Sequence, residues 1–385
     1  MLRPRIDWIA YLLLAAAVAL PATAFAAHDA IPDPAPRRTK AKLKPLPHMD
    51  REAITISGLS SGGFFAHQFH IAFSSLVNGA GILAGGPYGC VENIRNPFSP
   101  WVRLDRPSAA VIACTHFYGD RYLGLRPSQP KIADSLSLIE EARSKGTIDD
   151  PSNLADDRVF LFHGSKDDVV PGEIVQLVRE LYEKFGLTAP ALQFEEEPAN
   201  HGLPVAIFPG DSRFPKRGCA EHMPPFVIEC GFDAVERLLR HLYGAAFKPA
   251  PADAEAGGTL LPFDQTEFVD RAEKRASMSG VGYVYVPKQC LSHSCRLHVA
   301  FHGCRQEVDN KGSDRAHDDF VRDGGYNRWA AANDIVVLYP QLTSMPGFNP
   351  NACWDFWGYS GEQYLNRNGV QMRAVKAMVD RLLGR

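Results

Sequence analysis

The stretch Ala53-Ile-Thr-Ile-Ser57-Gly58-Leu59-Ser60-Ser61-Gly62-Gly63 decides how the rest of the chain is read. Ala53–Ser57 is rich in β-branched residues and reads as a strand, and a segment of helical period, Gly62–Ser74, follows at once. Between them stands Gly-x-Ser-x-Gly in the strand–turn–helix setting that gives this motif its meaning. The glycines have a physical purpose, since a sharp turn needs positive φ and close backbone approach while the Ser60 hydroxyl stays exposed above the sheet. The amide of Ser61, at the start of the helix, would point toward a developing negative charge. A turn that merely caps a helix would not need the doubled glycine. Ser60 is therefore the candidate nucleophile.

A serine hydroxyl is a weak nucleophile until a base takes its proton, so a histidine and an orienting carboxylate are expected downstream. The strand Arg158–Phe162 runs into His163-Gly-Ser-Lys-Asp167-Asp168, which places two carboxylates just past a strand end. Both fit by spacing; Asp167 is preferred as the acid and Asp168 is the alternative. Of the 13 histidines, His201 stands out. It follows the expected strand Leu192–Glu195 in the loop Pro198-Ala-Asn-His201-Gly, downstream of the acid. His67 and His70 lie along the helix after Ser60, away from the turn, and His163 belongs to the acid's own strand end.

Working outward, short aliphatic runs alternate with helical segments, the pattern of a mostly parallel sheet covered by helices on both faces. The expected strands also include Ala80–Ala84, Ala109–Cys114, Gly282–Val286, Leu297–Phe301 and Ile335–Tyr339. Helices are expected at Ile132–Ser144, Gly172–Phe185, Phe232–Tyr243, Asp318–Asn333 and Gln363–Leu383. The fold class is α/β.

One element is out of order. A serine hydrolase of the α/β-hydrolase class takes a second oxyanion-binding amide from a His-Gly loop that normally precedes the nucleophile. Here such a loop appears far downstream, where Leu297–Phe301 ends in His302-Gly303-Cys304. The opening part of the fold thus follows its closing part, which implies circular permutation. Together with Gly58-Leu-Ser-Ser-Gly-Gly, Ala84-Gly-Gly-Pro-Tyr88 and Asn351-Ala-Cys-Trp354-Asp-Phe-Trp357, this loop resembles poly(3-hydroxybutyrate) depolymerases of the permuted, fungal-type, single-domain branch. The resemblance covers the chain after about Glu52. It implies Ser60, Asp167 and His201 as catalytic residues and the amides of Ser61 and Cys304 as the oxyanion hole. It also implies that Trp354, with Asn349, lines the subsite for a 3-hydroxybutyrate unit. The reaction it implies is ester hydrolysis through an acyl-enzyme, on the polymer or its oligomers, with neither metal nor organic cofactor.

The remaining features bound the setting. The chain has 385 residues, 45% of them hydrophobic, and a net charge of −3. Interspersed charges give no basic field for nucleic acid. Arg3 and Arg5 precede an apolar run, Ile9–Leu20, and the small-residue site Ala24-Phe-Ala26, so residues 1–26 read as a signal peptide and the mature chain as secreted, extracellular or periplasmic, without stable membrane insertion. Residues 27–50 read as a flexible leader. Eight cysteines in an exported chain read as disulfides, and although they allow about a hundred pairings, the simplest joins neighbours: Cys90–Cys114, Cys219–Cys230 and Cys290–Cys295, leaving Cys304 for Cys353. Lys248–Gly258 looks like a linker, but permutation makes it an internal surface loop of a single domain spanning residues 51–385. Aromatic residues in the loops after the strands, among them Tyr88, Phe348, Phe356, Trp357 and Tyr359, would suit an insoluble polyester. A feruloyl or aryl carboxylesterase is the competing enzyme reading, and a non-catalytic polyester-binding protein the competing reading of another class.

Overall fold

A computed structural model describes residues 41–96, 99–115, 128–207, 215–270, 272–308 and 318–385. The expected signal peptide and the leader as far as residue 40 lie outside the described residues. The rest of the leader is not loose: Leu43 is 3% exposed, and the amide of Leu46 donates to the carbonyl of Leu382 at 3.0 Å.

An eight-stranded sheet organises the described chain. In chain order its strands are β1 (Met49–Leu59), β2 (Gly79–Leu83), β3 (Arg158–Gly164), β4 (Leu192–Glu197), β5 (Gly258–Asp264), β6 (Val281–Pro287), β7 (Cys295–Phe301) and β8 (Ile335–Tyr339). Their order across the sheet is β4-β3-β2-β1-β7-β8-β6-β5. All neighbours run parallel except at β6, which is antiparallel to both β8 and β5. From β1 the chain builds outward to one edge, then resumes at the opposite edge and returns to the centre, where β7 pairs with β1 in the register Ile54 opposite Leu297 and Gly58 opposite Phe301. That path agrees with an opening half placed after a closing half. It also brings the His302-Gly303 loop beside Ser60.

Burial explains which sequence patterns were readable. The last six residues of β1 are all buried, as a central strand covered on both faces requires. Helix α1 (Ser61–Ala72) is buried at every position, which is why its apolar residues do not keep to one stripe. Further helices are α2 (Ile132–Ser144), α3 (Gly172–Lys184), α4 (Ala234–Tyr243), α5 (Asp319–Asp323), α6 (Tyr326–Ala332) and α7 (Val370–Leu383). A Cβ on Gly81 would lie 2.1 Å from Leu238 of α4, so that helix sits directly on the middle of the sheet. Among the described residues no helix is long and apolar enough to cross a membrane.

Three expected elements differ. Ala109–Cys114 is not a strand: Asp105 caps a short helix, Arg106–Ala109, by accepting from Ser108 N–H at 2.9 Å, and the chain continues as a wider helical turn over Ala110–Cys114. A short apolar run does not by itself distinguish strand from helix. Asp318–Asn333 is broken into α5 and α6 at Gly324-Gly325, and α7 begins only at Val370. Edge strand β5 is hidden in the sequence because it abuts the Ala/Pro/Gly-rich segment and carries Pro262, which only an edge tolerates. The segment before it is pinned down: Arg328 donates to the carbonyls of Pro251 at 3.0 Å and Ala250 at 2.8 Å, and the described residues form one compact unit.

Candidate active site

Each candidate side chain stands just beyond the carboxyl end of a strand, where open α/β sheets place their clefts. Ser60 follows β1 with φ 57° and ψ −124°, a conformation that side chains other than glycine rarely adopt. The turn is held by Ser60 N–H donating to Leu83 O and Phe64 N–H donating to Ser60 O, both at 2.9 Å. Its glycines are obligatory through close approach: a Cβ on Gly58 would lie 2.1 Å from Gly62 O, and one on Gly62 would lie 2.3 Å from Phe301 O. The turn is thus packed backbone to backbone against the His302-Gly303 loop. A Cβ on Gly303 would lie 3.4 Å from Ser60 Cβ.

His201 and Asp167 are joined across the loops that follow β4 and β3. Nδ1 of His201 donates to Asp167 Oδ2 at 2.8 Å, while Asp167 Oδ1 accepts the amides of Val169 and Val170, each at 2.8 Å. Burial pushes the Asp167 carboxyl up, but His201 and these two amides outweigh it and hold it below the ordinary carboxylate range. Asp168 turns the other way, its Oδ1 lying 3.2 Å from Nδ1 of His222. The rival histidines have other partners: His67 bonds to Gly86 O, His70 to Tyr182 and Asp157, and His163 to Glu196.

Two residues that sequence reasoning missed fix these loops. Asn200 accepts from the amides of His201 at 2.6 Å and Asp168 at 3.3 Å, and its Nδ2 donates to Ala220 O at 3.0 Å. Gln306 accepts from Gly303 N–H at 2.7 Å and donates to Pro225 O at 3.2 Å. An asparagine next to the histidine and a glutamine after the His-Gly turn were the available signals, but neither residue type marks a role by itself.

Ser60, Ser61, His201 and Cys304 line one mainly apolar cavity of about 340 Å³. Its walls include Phe64, Phe226, Phe348, Phe356 and Trp357. Asn349 also lines it, but its amide is fully engaged: Nδ2 donates to Ser277, Cys353 O and Tyr359, and Oδ1 accepts from Cys353 N–H. The indole of Trp354 is wholly buried and packs against Phe65, Phe301 and His302; its amide donates to Ser61 Oγ at 3.2 Å. Of the expected aromatics, Phe348, Phe356 and Trp357 reach the cavity wall, whereas Tyr88, Trp354 and Tyr359 are core. The four disulfides pair as the neighbour rule expects, and Cys304–Cys353 ties the His-Gly loop to the Asn349–Trp357 loop.

No family model matches the chain. It is 32% identical over 345 residues to a poly(3-hydroxybutyrate) depolymerase of Delftia acidovorans, covering 88% of this chain and 61% of that protein. It therefore spans less than two thirds of the length of that relative. It is 28% identical to a polyhydroxybutyrate depolymerase of Talaromyces funiculosus, covering 89% of this chain and 93% of that one. Among solved structures, the PHB depolymerase from Penicillium funiculosum superposes with a TM-score of 0.72 at 26% identity, covering 89% of this chain and 99% of that chain. A PHB depolymerase variant complexed with an R3HB trimer gives 0.70, with the same identity and coverage. In sequence along most of its length, and in its α/β-hydrolase fold, the chain is a relative of the poly(3-hydroxybutyrate) depolymerases.

Proposed function

We propose that the chain is a secreted serine esterase that hydrolyses poly(3-hydroxybutyrate) or its oligomers. The observation that carries this reading is the meeting of a strained Ser60, the His201–Asp167 pair and the Gly303-Cys304 turn in one mainly apolar cavity. In the proposed reaction His201 accepts the Ser60 proton and Ser60 attacks the ester carbonyl. The amides of Ser61 and Cys304 hold the tetrahedral oxyanion, and His201 then protonates the leaving alkoxide oxygen, which departs as the alcohol. Water attacks the acyl-enzyme in the second half, with Asp167 holding the imidazole in the required tautomer. The chain's own residues suffice for every step.

The substrate part rests on the wall chemistry and on the relatives. An aliphatic polyester offers methyl groups and methylenes to Phe64, Phe356 and Trp357, and few hydrogen-bond donors. Because the Trp354 indole is buried and the Asn349 amide is engaged, their proposed part in the acyl subsite is to shape the Cys353-bearing loop from behind. Export agrees with four disulfides, which persist in oxidising compartments.

The experiment is release of 3-hydroxybutyrate from amorphous poly(3-hydroxybutyrate) by the mature protein beside Ser60→Ala. Release that disappears in the variant supports enzyme and substrate together. No release, with Ser60-dependent cleavage of aryl esters, keeps the esterase and removes the polyester.

A further inference from the structure

His222 is a second histidine of the cavity that the proposed triad does not use. It lies in the loop closed by the Cys219–Cys230 disulfide, which is fastened to the His201 loop by Asn200 N–H donating to Cys219 O at 2.8 Å and by Asn200 Nδ2 on Ala220 O. The imidazoles of His201 and His222 meet edge to face, with centroids 5.2 Å apart and planes at 82°. Phe226 backs the His222 ring at 5.5 Å. Both histidines line the cavity with Ser60.

The neighbours decide what His222 offers. Burial and the adjacent His201 hold its pKa down to about 4, so at neutral pH the ring is uncharged and carries one hydrogen. Asp168 touches Nδ1 as a close contact at 3.2 Å, not as an in-line hydrogen bond. A lone pair at Nδ1 would face the carboxylate oxygen, so electrostatics puts the hydrogen there. Nε2 is then a bare acceptor beside the base, and no described residue is seen to donate to it.

We propose that His222 accepts the second hydrogen of the water that hydrolyses the acyl-enzyme, and so acts as a positioning residue for deacylation. This rests on the serine acyl-enzyme reading above. In that step the water oxygen bonds to the acyl carbonyl carbon as one of its protons passes to Nε2 of His201. The tetrahedral species then collapses: the bond from carbon to Ser60 Oγ breaks, Ser60 recovers the proton from His201, and the acid leaves. The other hydrogen of the water needs an acceptor in a mainly apolar cavity, and a donor left unmatched there is costly. An alcohol attacking the same acyl-enzyme has one hydroxyl hydrogen, given to His201, and has no use for His222.

That difference supplies the test. The mature protein is given p-nitrophenyl butyrate in aqueous methanol, and the ratio of methyl butyrate to butyrate is measured. This ratio does not depend on how much of a preparation is folded. His222→Phe should raise it about tenfold, the scale of one hydrogen bond in the attacking state. His222→Gln, whose amide oxygen can accept, should fall between wild type and His222→Phe. A ratio that stays unchanged or falls in His222→Phe overturns the proposal. Should that variant not fold, Asp168→Leu decides: with no acceptor left facing Nδ1 the tautomer is no longer fixed and the ratio must rise, so an unchanged ratio again overturns it. Wild-type protein without nitrophenolate release, or release that survives Ser60→Ala, removes the acyl-enzyme reading itself, and the water-holding role with it.

Discussion

Asp167 presents Oδ2 to Nδ1 of His201 at 2.8 Å, while its other oxygen is occupied by the amides of Val169 and Val170. The carboxylate therefore has one free direction, and it points at the histidine. Asp167→Asn should keep the backbone contacts but turn an N–H toward Nδ1, which leaves the proton on Nε2, where the base must be bare. On the proposed mechanism kcat for an aryl ester should fall about 10⁴-fold, with the melting temperature little changed. Asp168→Asn, which faces His222, should lose far less. Equal losses in the two variants would mean that the acid has been misassigned.

How much of this was legible depends on whether a residue's role is written in its neighbours along the chain. Ser60 was, because a tight turn between strand and helix demands glycines at Gly58 and Gly62. Asp167 and His201 were placed by chain order and loop position, although spacing alone fitted Asp168 as well as the preferred Asp167. The sheet was readable where burial on both faces gave continuous aliphatic runs, as in β1 and β8. It was not readable at β5, where an exposed edge carries a proline, nor at Ala109–Cys114, where a capping aspartate decided for helix. His222, Asn200 and Gln306 act across loops far apart in sequence. Trp354 carried a motif, but a motif does not say which way an indole faces.

Gly62 is the point where α1 rests on the His302-Gly303 loop. A Cβ there would lie 2.3 Å from Phe301 O and 2.5 Å from His302 O, both backbone atoms that cannot swing aside. Gly62→Ala should cost about 3 kcal/mol or more in stability and abolish esterase activity in whatever folds. Gly146→Ala is the control: its φ is +66° with nothing within 4 Å, so backbone strain alone should cost about 1–2 kcal/mol. Thermal melts of the two variants, with activity normalised to folded protein, separate the effects.

The Cys304–Cys353 bridge spans 49 residues and joins the loop carrying a proposed oxyanion amide to the loop carrying Asn349. Replacing both cysteines by serine should remove about 4 kcal/mol of stability on the chain-entropy account. On the proposed mechanism it should also lower kcat more than it raises KM, because the proposed role of the Cys304 amide is in the transition state. A variant that melts earlier yet retains full kcat would make the bridge a stabilising staple only.

His67 ties the fold to pH without touching the reaction. It is fully buried on α1, its Nδ1 donates to Gly86 O at 2.9 Å, and Nε2 has no partner among the described residues. Burial lowers its pKa from 6.5 to about 4, outweighing the Gly86 carbonyl. The unfolded chain therefore binds a proton at this site that the folded chain refuses between those two values, so stability rises with pH across that window and is lost as pH falls through it. Buried carboxyls raised by burial, Asp157, Asp233 and Asp355, act in the opposite direction, so the wild-type curve alone mixes the two. His67→Gln removes only the histidine's share, since its amide can still donate to Gly86 O. The melting temperature of the variant relative to wild type should rise steadily as pH falls from about 6.5 to about 4 and stay level above about 7. A difference that does not change with pH would mean that His67 is solvated or already charged in the folded protein.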